Sequence, residues 1–302
     1  MRSPQLLDVA LLPGARELLA AHARELPQRD DLCGAFCGAL ALRAAAIDTS
    51  GGEPLDQDAV ALAAGSVVAG ARDPGTLPHG ERGRRDYRLR IPMIDDPDLS
   101  GTTAAGVREA IAALSAGALE AIPYSGPWNA DTLAGLFELA CALERPATLL
   151  ANFATHHLWG GRPRGEQLLD YLFDGALDGP PPDWRVGHFA CVFGRVRGPG
   201  GSAYCLADTY PALGNAGVHV QPQERLAAAL ERRDMPAGGM FAVVFAENAA
   251  AVRAGATALG LREGIWDNGT VTDGAAGAGS IGGATAAANA ASDDTTPSES
   301  DP

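Results

Sequence analysis

"VGHFACVFGRVRGPGGSAYCLADTYP", residues 186–211, decides how this chain is read. Two runs rich in β-branched and aromatic residues flank RGPGG, a cluster that suits a turn and neither a helix nor a strand interior. The pattern predicts a β-hairpin. His188 opens the first run and Asp208 closes the second. Antiparallel pairing brings the start of one strand beside the end of the next, so an imidazole and a carboxylate are expected to meet there. An imidazole oriented by a carboxylate is the base of a nucleophilic enzyme, and it calls for a nucleophile elsewhere in the chain.

The candidate is in "DDLCGAFCGAL", residues 30–40. Cys33 and Cys37 lie one turn apart at the start of an apolar helical run, with Asp30 and Asp31 at its mouth, where acidic residues suit the helix dipole. A zinc site would need a second close Cys/His pair, and only His156 and His157 cluster elsewhere. A C-x-x-C redox pair has two intervening residues, and this pair has three. Two readings then remain. Free cysteine packs well as a small core residue, which suits Cys37 and would suit Cys33. A thiol at a helix N-terminus also feels the positive end of the dipole, which favours the thiolate. The hairpin supplies the base and orienter that turn the reading of Cys33 toward catalysis. Gly34 beside it is read as leaving the backbone open to a substrate.

Composition narrows the partners. The chain has 302 residues and a formal net charge of −14, and every basic residue is Arg. An acidic surface does not attract phosphate, so nucleic acid is not an expected partner. No apolar run reaches the roughly 18 residues of a membrane span, so no membrane partner is expected. The N-terminal stretch lacks the features of a signal peptide, and the expected location is the cytoplasm. Five scattered cysteines do not read as a disulfide framework. No Walker or dinucleotide fingerprint is present, and no cofactor or metal is expected. There is no G-x-S-x-G elbow, which disfavours a serine hydrolase.

The chain shows no internal repeat. Residues 5–25 read as a helix, the run after Cys33 as a second, and the stretch EPLDQDAVALAAGSVV as a third. From about residue 87 strands and helices alternate up to the hairpin. GVHVQPQERLAAALERR reads as strand then helix, with His219 structural by alternation, and GGMFAVVFAE as a late strand. From Asp267 the sequence is rich in Gly and Ala with almost nothing to bury, and residues 267–302 are expected to be a disordered tail. Of the other histidines, His156 or His157, near Asn152, could replace His188 as base. A partly exposed loop is the plainer reading.

The two blocks together resemble a family. LCGAFCGALAL is similar to the cysteine-bearing helix start of bacteriocin-processing, double-glycine-type cysteine peptidases, a branch of the papain-like superfamily. GHFACVFGRVRGPGGSAYCLADTYP resembles their histidine-to-aspartate hairpin. The general texture is similar to uncharacterised actinobacterial proteins of this length. The resemblance implies an α+β, papain-like fold over 1–266, with a central antiparallel sheet and residues 70–165 as an α/β insertion or lid. It also implies Cys33 as nucleophile, His188 as base, Asp208 as orienter and Gln28 as an oxyanion donor. The implied activity is a cysteine hydrolase, peptidase or amidase, acting on a peptide or amide substrate. A non-catalytic papain-like binding domain, or an acyl-transfer enzyme of transglutaminase type, would use the same arrangement.

Overall fold

The computed structural model describes residues 7–71, 74–182 and 184–272. The first half runs β1 (Asp8–Leu11), α1 (Ala15–Glu25), α2 (Cys33–Ala44), β2 (Thr49–Ser50), β3 (Glu53–Pro54), α3 (Gln57–Ala63), β4 (Val68–Ala69), β5 (Met93–Ile94) and α4 (Ala104–Leu114). The second runs β6 (Leu119–Tyr124), α5 (Ala130–Cys141), β7 (Thr148–Ala154), α6 (Gly165–Asp174), β8 (Gly187–Arg197), β9 (Ser202–Ala207), β10 (Val218–Pro222), α7 (Gln223–Glu231), β11 (Gly239–Phe245) and α8 (Ala246–Ala258).

The architecture is mixed α+β around one seven-stranded sheet, ordered β10-β9-β8-β7-β11-β6, with β1 paired to β8. Each pairing in it is antiparallel. Both faces are covered. Helices α1 to α4 pack on one face over Phe189, Cys191, Phe241 and Val243, and α5, α7 and α8 pack on the other over Ala190, Val192, Leu206 and Val244. A strand buried on both faces has no reason to alternate. That explains TLLANFA in β7 and GMFAVVF in β11, buried at every position.

The expected hairpin is β8–β9, and the pairing carries a shift between Val192 and Gly194. The helix expected over residues 5–25 is a strand followed by a helix. Pro13 and Gly14 break the chain, and Asp8–Leu11 pairs along the far end of β8. Gly194 makes room for that pairing, since a Cβ there would lie 2.8 Å from Leu11 Cδ2. The strand expected in YRLRIPMI shrinks to Met93–Ile94, paired with Val68–Ala69.

The middle section, 70–165, adds β6 and β7 to the sheet and α4 and α5 to its two faces. β7 is sandwiched between β8 and β11, and β6 is the edge beyond β11. Residues 268–271, expected within the tail, are hydrogen-bonded to the rest of the protein. Asn268 Nδ2 donates to the Thr102 carbonyl (3.1 Å), and its Oδ1 accepts the Ala104 N–H (3.2 Å) at the start of α4. The disorder expected beyond residue 272 falls outside the described residues. Among the described residues, no helix is long and apolar enough to cross a membrane.

Candidate active site

α2 begins at Cys33 and has no capping side chain; Leu32 occupies the N-cap. Its first-turn N–H groups are therefore left without a side-chain acceptor, and a helix N-terminus in that condition favours negative charge. The helix reaches the sheet through Gly34. A Cβ there would sit 3.1 Å from both Thr102 Cβ and Val107 Cγ2 and 3.3 Å from Phe189 Cδ2. Gly34 thus serves helix-to-sheet packing, not the open approach expected of it. Phe189 follows His188 in the chain, so this packing sets Cys33 beside the histidine.

His188 is the second residue of β8, and Asp208 comes directly after β9. Cys191 pairs with Ala207, which places His188 and Asp208 on one face at one end of the hairpin. His188 Nε2 donates to Asp208 Oδ1 at 2.8 Å, and both side chains are buried. With Nε2 so engaged, Nδ1 is the nitrogen left to meet the thiol of Cys33, which lines the same cavity and lies near enough to help raise the imidazole's pKa. Burial opposes the imidazolium. The charge and hydrogen bond of Asp208, with Cys33 behind them, outweigh it and push His188 up to about 10. Burial would raise the Asp208 carboxyl, but His188 and His219 hold it well below the usual carboxylate range.

Asp208 is satisfied from several sides. Oδ1 also accepts the Thr209 N–H (2.7 Å), and Oδ2 accepts His219 Nε2 (3.1 Å). Gln221 Nε2 donates to His219 Nδ1 (3.1 Å), which fixes the tautomer that donates to Asp208. His22 Nε2 of α1 donates to the Asp208 carbonyl at 2.6 Å. Burial pulls His22 below the ordinary histidine value, so it sits there neutral. His219 therefore has a more particular place than plain strand packing. It pairs with Leu206, two residues before Asp208 on the same strand face. Alternation alone carries that signal only once the register is known.

Gln28 is buried, and its Nε2 donates to the Tyr210 hydroxyl at 2.7 Å while Oε1 has no partner. Its backbone N–H donates to the Thr209 carbonyl (3.0 Å), which ties the loop before α2 to the end of the hairpin. Tyr210 stacks on His188 with ring centroids 6.0 Å apart, and Trp184 meets the imidazole edge-on at 4.9 Å. Gln28, Cys33, His188, Trp184, Tyr210 and Arg232 line one cavity of about 590 Å³. The structure thus brings together Cys33, His188, Asp208 and Gln28.

The other sequence candidates lie elsewhere. His156 and His157 do not line this cavity. Their Nε2 atoms bond Asp234 at 2.8 and 3.3 Å. These three residues put their ligand atoms within 4.8 Å of one another. The Arg185 guanidinium, however, holds the same Asp234 oxygen at 2.7 Å, and a cation there opposes a metal. Cys37 is fully buried and its thiol is pushed well up by burial, as core packing requires. Asn152 does line the cavity, where its Nδ2 donates to the His188 carbonyl (3.2 Å).

Residues 12–267 match the family described as Family of unknown function (DUF6885). The chain belongs to this family. A search of curated proteins finds no match to the chain.

Proposed function

We propose that this DUF6885 protein is a cysteine hydrolase of papain-like type that cleaves peptide or amide bonds. One observation carries the reading. A cysteine at an uncapped helix N-terminus shares the wall of a cavity large enough for a small substrate with a buried imidazole that is itself hydrogen-bonded to a buried carboxylate. The antiparallel sheet, the adjacent strand ends and the order Cys, His, Asp along the chain support the papain-like assignment.

In this reading the Cys33 sulfur attacks the carbonyl carbon, and the thiol proton resides on His188 Nδ1. The carbonyl electrons move to oxygen. The Cys33 N–H and the Gln28 carboxamide stabilise that oxyanion, Gln28 turning from Tyr210 to do so. Collapse breaks the C–N bond, and His188 returns the proton to the leaving amine. Water, deprotonated by His188, then releases the acid and frees the thiol. Asp208 keeps Nε2–H pointed away from the thiol throughout.

The test is an acyl-enzyme trap. Mixing the protein with p-nitrophenyl acetate is expected to give a burst of p-nitrophenolate and a hydroxylamine-labile acetyl group on Cys33, both lost in Cys33→Ala. Acetylation at other residues with Cys33 untouched would leave only a binding domain. An acetyl-enzyme that decays faster with added amine than in water would place the protein with acyl-transfer enzymes.

A further inference from the structure

Arg232 is an anomaly in the cavity. It follows α7 with a left-handed backbone (φ 42°) and is only 3 % exposed. Its Nη1 donates to Asn152 Oδ1 at 2.8 Å, while its Nε is buried with no partner. The guanidinium lies against Gly187, where a Cβ would come within 2.5 Å of Nη2, so it sits one residue from His188. Among the described residues no carboxylate forms an ion pair with it. Glu231, its neighbour in sequence, accepts the Trp128 N–H instead, and Asp234 is engaged by His156, His157 and Arg185. Burial lowers the guanidinium to about 10, against the opposing pull of Cys33 and Asp234, so it remains a cation at neutral pH.

A buried cation without a counter-ion is costly, and a natural site keeps one where an anion arrives to pair with it. The neutral Asn152 amide does not meet that need. The fork of a guanidinium matches a carboxylate in two parallel hydrogen bonds. We infer that Arg232 receives a carboxylate of the substrate, so that the amides cleaved at Cys33 carry a free carboxylate close to the scissile bond. This rests on Cys33 being the nucleophile and adds the substrate class. The carboxylate could be a chain terminus or an acidic side chain.

Two alkylating reagents of nearly equal size test it. Iodoacetate carries the carboxylate and iodoacetamide does not. The iodoacetate-to-iodoacetamide rate ratio at Cys33, read by peptide mass spectrometry, is expected to exceed that of free cysteine about tenfold or more, as a charge-assisted pair provides. Arg232→Gln should abolish the excess and Arg232→Lys should restore part of it. A native ratio equal to that of free cysteine overturns the inference. So does an excess that survives in a folded Arg232→Gln. If the variants do not fold, protection of the native protein decides. N-acetylalanine (terminal carboxylate) and N-acetylglutamic acid α-amide (side-chain carboxylate) are compared with neutral N-acetylalanine amide as shields against iodoacetamide. Protection by one acid and not by the amide supports the inference and identifies the carboxylate's source; equal effects of all three overturn it. Failure of both reagents to label Cys33 overturns the nucleophile reading and this inference with it. Normal labelling with no preference overturns this one alone.

Discussion

Asp208 shows how much of this site is held by groups that do no chemistry. Its carboxylate accepts from His188, His219 and the Thr209 backbone, and its carbonyl accepts from His22. These bonds make stability depend on pH in two directions. His188 has a folded value raised to about 10 against an ordinary 6.5. Its contribution is fully present below 6.5 and is lost as pH rises toward 10. His22 has a lowered folded value, so its contribution is present above the ordinary 6.5 and is lost as pH falls. Thermal denaturation of the native protein should therefore peak near neutral pH and decline steadily from about pH 7 to 10. Asp208→Asn removes the charge that holds the imidazolium. It should lower Tm at neutral pH and flatten the alkaline decline. An alkaline slope unchanged in the variant would mean that another group causes it. The sequence showed the His188–Asp208 pair because these residues mark one strand's beginning and another's end. It hid His219, His22 and Arg232, whose roles depend on register, on a helix face and on a left-handed turn after α7.

At the scale of elements, the site depends on how closely α2 approaches β8. Gly34 is the contact that sets the distance. Alanine there gains about 0.5–1 kcal/mol of helix propensity. Its Cβ would stand 3.1 Å from Thr102 and Val107, which α2 can relieve only by moving a few tenths of an ångström away from the sheet. Gly34→Ala should therefore stay folded, gain no stability, and label at Cys33 several-fold more slowly than the native protein. Stabilisation with unchanged labelling would show that the contact is not needed. The hairpin and α2 were legible because turn residues and apolar periodicity specify them locally. β1 was not. Ala10, Leu11 and Leu12 continue the apolar run toward α1, and only the length of β8 beyond β7's register tells Asp8–Leu11 to pair as a strand.

On the scale of the whole molecule, the chain collects its site from distant segments. Gln28 comes from the loop before α2 and Cys33 from its first turn, Asn152 from β7, His188 and Asp208 from the hairpin, and Asn268 to Thr270 from the last described stretch. The sheet makes this possible by placing β7 and β11, which are far apart in sequence, beside one another. Local pattern does not encode strand order, so residues 70–165 read as an insertion although they supply a central strand. A site assembled in this way is intact only in the native fold, so the reactivity of Cys33 reports on the whole arrangement. The most direct measurement is the pH dependence of Cys33 alkylation by iodoacetamide, in native protein and in His188→Ala, with the labelled site read by mass spectrometry. A cationic imidazole beside a thiol favours the thiolate, so native Cys33 should label rapidly well below the roughly pH 8.5 of a free thiol, and His188→Ala should label slowly there. Slow labelling with a free-thiol profile in both proteins would contradict the proposal that Cys33 and His188 form a catalytic pair.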